Sequence, residues 1–81
     1  MTISPDQCRA ARAFLNWSQP KLAEAAGVSR ETVINFERGA HTPHANNMAA
    51  LRTALEAAGV VFLDETRTRG PGVCLRKKSD A

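Results

Sequence analysis

A chain of 81 residues with 43% hydrophobic side chains and a net charge of +3 fits one folded domain with a modest core. That length leaves no room for a second domain, and the composition excludes a disordered tail. A core this small is marginal alone, and self-association is a usual remedy.

In chain order, Ser4-Pro5-Asp6-Gln7 is a strong helix start: Ser4 caps, Pro5 suits the first helical position, and Gln7 completes a capping box. Cys8, Ala11 and Leu15 recur at helical spacing, so the first helix is expected over Pro5 to Leu15. Ser18 opens the second helix, with Pro20 in a first turn whose N–H groups have no intrahelical partner. A residue before proline is pushed from helical angles, which makes Gln19 the competing cap. Leu22, Ala23 and Ala26 mark the buried stripe, and Gly27 ends the helix. Ser29 caps the third helix, whose inner face is Val33 and Phe36, and Gly39 closes it. Ala40 to His44 is a loop containing Pro43.

The fourth helix is expected over Ala45 to Ala58, burying Met48, Leu51 and Leu55 and stopping at Gly59. The character then changes. Val60 to Leu63 reads as a strand, Asp64 to Gly72 as a loop, and Val73 to Leu75 as a second strand, which together make a C-terminal β-hairpin. The expected organisation is a helical domain over 1–59, followed by a hairpin and basic tail over 60–81 that is not an independent domain. No internal repeat is present.

Charge is unevenly placed. Residues 1–63 carry six basic side chains against five acidic ones, and the excess lies in Arg67, Arg69, Arg76, Lys77 and Lys78. A balanced body with a basic tail permits a nucleic-acid partner without being a generic polycation. Cys8 and Cys74 stand far apart without metal-like spacing, which reads as reduced thiols in a cytoplasmic protein. No export signal is evident, and the longest strongly apolar run, Val60 to Leu63, cannot span a bilayer.

Two short helices joined by a tight glycine turn form a helix-turn-helix, whose second member can enter the DNA major groove. The string Trp17-Ser18-Gln19, Leu22-Ala23, Ala26-Gly27-Val28-Ser29, Thr32-Val33, Phe36-Glu37-Arg38-Gly39 closely resembles the Cro and phage-repressor (Xre-like) type of helix-turn-helix protein over roughly residues 6–59. The resemblance implies a mainly α, compact bundle of four or five helices, sequence-specific duplex binding and usually a homodimer. The hairpin lies outside that shared core.

Carried over by position, the resemblance sets Arg30, Glu31, Thr32 and Asn35 towards base edges. The chemistry suits them: arginine donates bidentately to guanine, asparagine pairs with adenine, glutamate accepts from the cytosine amino group, and threonine meets a thymine methyl. Gln19 and Ser29 match positions that hold phosphates, where free backbone N–H groups add to the anion site. The loop residues His41, Thr42 and His44 are expected on phosphates because they follow the third helix. In the resembled family an acid ending the third helix pairs with a base in the first. This assigns Glu37 and Arg12 a structural ion pair first, with a phosphate contact for Arg12 second.

Blander readings compete at several positions. An acid at Glu31 also favours the helix dipole, as does a cation at Arg38 near the end of the same helix. His41 and His44 with a cysteine fall short of the ligands zinc requires, so no metal or cofactor is expected. Trp17 reads as a core anchor between the first two helices. No nucleophile, base and acid fall at a suggestive spacing, so no enzyme activity is expected. The hairpin admits three readings: edge pairing with a second copy, cover for its own core, or a solvated basic end.

The functional expectation is a sequence-specific duplex-DNA-binding transcriptional regulator, a homodimeric repressor on an inverted repeat. The rival is an antitoxin or adaptor module whose bundle binds another protein such as a toxin.

Overall fold

The computed structural model describes residues 2–77, so Lys78 of the basic tail lies outside the described residues. Among these, four helices precede a two-stranded antiparallel sheet: α1 Pro5–Leu15, α2 Gln19–Ala26, α3 Arg30–Glu37, α4 Ala45–Ala57, β1 Val60–Leu63 and β2 Gly72–Leu75.

Local chemistry sets most of these boundaries. Ser4 Oγ accepts the Gln7 N–H at 3.1 Å while Gln7 Oε1 accepts the Ser4 N–H at 2.8 Å, a complete capping box. The competition at the start of α2 goes to Ser18, whose hydroxyl accepts the Lys21 N–H at 3.1 Å. Gln19 is therefore helical, and Pro20 sits beside it in the first turn, where its missing donor costs nothing. Gly27 stops α2 at φ 72°, a left-handed backbone that a side chain would strain. Ser29 then caps α3 through the Thr32 N–H at 3.1 Å. α3 ends at Glu37 with Arg38 as its cap, and α4 ends one residue before Ala58.

The core gathers Cys8 and Ala11 from α1, Leu22 and Ala23 from α2, Val33 and Phe36 from α3, and Met48, Leu51 and Leu55 from α4. Trp17 and Val28 pack against its edge, and Lys21 Nζ stands 5.6 Å from the centre of the Trp17 ring. The hairpin completes this core rather than standing apart. Val60 and Phe62 are buried while Val61 and Leu63 face out. This is the alternation a half-covered strand requires. Val60 pairs with Leu75, Val61 with Cys74, Phe62 with Val73 and Leu63 with Gly72. From α4, the Arg52 guanidinium lies 5.3 Å from the Phe62 ring centre.

One side chain joins the two ends of the chain. The Gln7 amide, buried, donates from Nε2 to the Leu63 carbonyl at 3.3 Å and to the Gly72 carbonyl at 3.0 Å. The residue that caps α1 with its oxygen thus clamps the loop end of the hairpin with its nitrogen. Replacement Gln7→Glu keeps the capping oxygen and removes the donor, leaving a carboxylate against two carbonyls at a cost of about 1–3 kcal/mol. Helical circular dichroism is expected to survive while amide hydrogen exchange at Val61 to Leu63 accelerates. Unchanged exchange there would mean that Val60 and Phe62 hold the hairpin unaided.

Candidate nucleic-acid interface

The angle between α2 and α3 is set by small and apolar side chains. Ala23 and Val33 are buried in the core, and Val28, in the turn, packs against its edge. The turn closes when the Val28 N–H reaches the Ala23 carbonyl at 3.0 Å. The first turn of α3 is thereby turned to solvent: Arg30 and Glu31 are exposed, and Thr32 and Asn35 half-buried. Ser29 Oγ lies 2.8 Å from Thr32 Oγ1. That bond leaves the Thr32 hydroxyl room for a further partner and its methyl group free of polar contact.

A shallow depression collects Ser29, Glu31, Thr32, Asn35, His41, Pro43, His44 and Asn47. The loop that supplies the histidines is tied to α3, because the Ala40 and His41 N–H groups both donate to the Asn35 carbonyl, at 2.9 and 3.3 Å. Pro43 is buried, while His41, Thr42 and His44 are exposed. Asn47, in the first turn of α4, escaped the sequence reading. Its signal was the Asn46-Asn47 pair at a helix start, but nothing local says which groove such an amide faces. Across α3, a second depression is lined by Pro20, Lys21, Glu24, Val28, Ser29 and Arg30.

The far end of α3 is fixed by a buried carboxylate. Glu37 is 2% exposed. Its Oε1 accepts from Arg12 Nη2 at 2.7 Å and Gln19 Nε2 at 3.0 Å, and its Oε2 from Arg12 Nε at 2.7 Å and Cys8 Sγ at 3.1 Å. Arg12 also donates from Nη1 to the Trp17 carbonyl at 3.0 Å, and Arg9 donates to the Glu37 main-chain carbonyl. Burial alone would push the Glu37 carboxyl up, but the hydrogen bonds from Arg12, Cys8 and Gln19 prevail and hold it below the usual carboxylate range. The Glu37 contact raises the Arg12 guanidinium against an opposing desolvation, and burial first, then Glu37, pushes the Cys8 thiol up. Gln19 and Arg12, which the resemblance assigned to phosphates, therefore point donors inward. Cys8 joins the network as a donor as well as an apolar filler.

The ion pairs sort the remaining charges. Arg9 pairs with Asp6, Arg12 with Glu37 and Arg52 with Glu56. Within residues 2–63, the charges outside these salt bridges are Lys21, Glu24, Arg30, Glu31 and Arg38, all on α2, α3 or the α3 cap. Among the described residues, no group of three or more His, Cys, Asp or Glu is placed to hold a metal ion, and no helix is long and apolar enough to cross a membrane.

A helix-turn-helix family model matches residues 9–57. The chain belongs to this family. The match covers α2, α3 and α4 and most of α1, and it marks the chain as a DNA-binding helix-turn-helix regulator of the Cro and phage-repressor type. No curated protein matches the chain.

The helix-turn-helix protein should be acid-sensitive through Glu37. Its folded carboxyl lies below the unfolded value of about 4.3, so its contribution is complete above that value and lost as pH falls through the folded one. Glu37→Gln leaves Arg12 partly buried without a counter-ion and is expected to cost about 3–5 kcal/mol near neutrality. Its stability should also decline less steeply in acid. Urea unfolding from pH 3 to pH 7 tests both, and parallel acid limbs in the two proteins would contradict the assignment.

Proposed function

We propose that the protein is a homodimeric repressor that binds an inverted repeat in duplex DNA with the N-terminal end of α3 in the major groove. The observation that carries this reading is the concentration of unpaired charge on the α2–α3 pair, next to exposed hydrogen-bonding side chains. Arg30, Glu31, Thr32 and Asn35 read bases, each with the partner its donors and acceptors allow. Ser29, His41, Thr42 and His44 lie on the backbone and fix register, aided by the free N–H groups at the helix starts. Gln19 has a second amide hydrogen to offer a phosphate while its first holds Glu37. Arg12, only 18% exposed at its side chain, serves the interface from behind by positioning α3.

The dimer is assigned to the hairpin. Val61, Leu63 and Leu75 are three of the five large apolar side chains exposed among the described residues, and both strands are free of charge. An uncharged, two-stranded sheet with open edges is a template for a further strand. Two copies related by a two-fold axis would place half-sites about 34–36 Å apart, one turn of the duplex. Repression needs no more than occupancy of such a site.

Selection of bound sites from random duplexes tests the reading. A palindromic consensus is expected, and replacing Arg30 or Asn35 with Ala should cost about 1–3 kcal/mol on it while relaxing one position per half-site. Equal losses on selected and random duplexes would remove base reading. The mass of the free protein should be that of a dimer that falls apart on Val61→Lys. A monomer that associates only with a different polypeptide would transfer the hairpin to an antitoxin or adaptor role.

A further inference from the structure

Resting on the DNA-binding reading above, we infer that Ile34 is a further specificity-determining residue, whose side chain packs against the C5-methyl group of a thymine in each half-site.

Ile34 is 41% exposed in the middle of a helix whose other outward residues are Arg30, Glu31, Thr32, Asn35 and the cap Arg38. Among the described residues, the other large apolar side chains left in solvent, Phe14, Val61, Leu63 and Leu75, belong to α1 and the hairpin. A lone exposed isoleucine is ordinary on a protein surface, so the argument turns on where this one sits. At about 100° per residue, Arg30, Ile34 and Arg38 form one row along α3, and Ile34 falls between Arg30 and Asn35 both around the axis and along it. A duplex that meets both of those side chains encloses the surface between them, so Ile34 is covered whenever α3 reads bases.

The apolar side chain must then be matched. The base edges in the major groove present hydrogen-bond donors and acceptors, and the one methyl group among them belongs to thymine. Set against any of the polar groups, Ile34 would strip it of water and return nothing. Set against the methyl group, it buries apolar surface on both sides. A β-branched residue at this position also lowers the intrinsic stability of the helix slightly, so its merit lies outside the fold. Thr32 stands on the opposite flank of the outward face, and a methyl contact made there is a separate one.

The test replaces each thymine of the selected duplex in turn by deoxyuridine, which removes only the C5-methyl group. The native protein is expected to lose about three- to fivefold in affinity at one thymine per half-site, the worth of one buried methyl group. Ile34→Ala should bind the unmodified duplex more weakly by a similar factor and show no further loss at that position. Ile34→Val, which keeps the branched carbon, should retain part of the sensitivity. A uracil effect that persists in Ile34→Ala belongs to another side chain, and an identical profile in the native protein and Ile34→Ala overturns the inference while leaving DNA binding intact. Failure of selection to return any preferred duplex would instead overturn the DNA reading, and Ile34 with it.

Discussion

A carboxylate closed off from water has to be answered from every side, and the fold is arranged around that requirement at Glu37. Two oxygens receive four hydrogen bonds, from Arg12, Cys8 and Gln19. Without them, burial of the ionised group would cost several kcal/mol. The donors come from α1 and from the first residue of α2, so satisfying one side chain at the end of α3 fixes three helices relative to one another. Arg9 adds a bond to the main-chain carbonyl of the same residue. The core of Leu22, Val33, Leu51 and Leu55 supplies the driving force, but apolar contact is non-directional. The small and apolar side chains at the turn set the angle between α2 and α3, and the directional bonds at Glu37 hold α3 in it, so that Arg30 and Asn35 are offered in one direction.

How much of this was legible in the sequence depends on the range of each interaction. The caps at Ser4, Ser18 and Ser29 are local bonds spanning three residues, and the residue types that make them announce themselves. The apolar stripe of each helix follows from period alone, and the strands from a short apolar run flanked by turn residues. Gln7 shows where that legibility stops. Its capping oxygen is visible from its neighbours, whereas its nitrogen meets a carbonyl 65 positions away. No periodicity encodes that contact. Gln19 was ambiguous for a related reason. Proline at the next position argued for a cap, but in the first turn the argument weakens because no intrahelical donor is lost, and Ser18 was available to cap instead.

The hairpin has two faces with two different explanations. Val60 and Phe62 close the core over α4, which accounts for the inner face. Among the described residues, Val61 and Leu63 keep 37% and 36% of their surface open to solvent. Natural edge strands are usually blunted by lysine, proline or a bulge, and none of these interrupts either strand here. The cations of this region instead sit beside the strands, at Arg67, Arg69 and Arg76. Charge at the margins and none on the strands would keep repulsion low in the dimer proposed above, where identical surfaces meet across a two-fold axis.

The placement of charge also constrains how a duplex is bound. With Asp6, Glu37 and Glu56 each matched by an arginine, the helical body offers a phosphate backbone only Lys21, Arg30 and Arg38, opposed by Glu24 and Glu31 on the same pair of helices. Non-specific affinity comes from released counterions, and each phosphate neutralised contributes about −0.9 to the slope of log affinity against log salt. A surface with so small an excess of cations holds an arbitrary duplex weakly. Glu31 sharpens the effect, because beside phosphates it is unfavourable unless a base donor meets it. On the reading proposed above, discrimination rests on a few contacts at one helix terminus, and those contacts are useful only if that terminus does not move. The Glu37 network anchors the opposite end of α3, and the continuous hydrogen-bonded helix carries that position to Arg30 at its start.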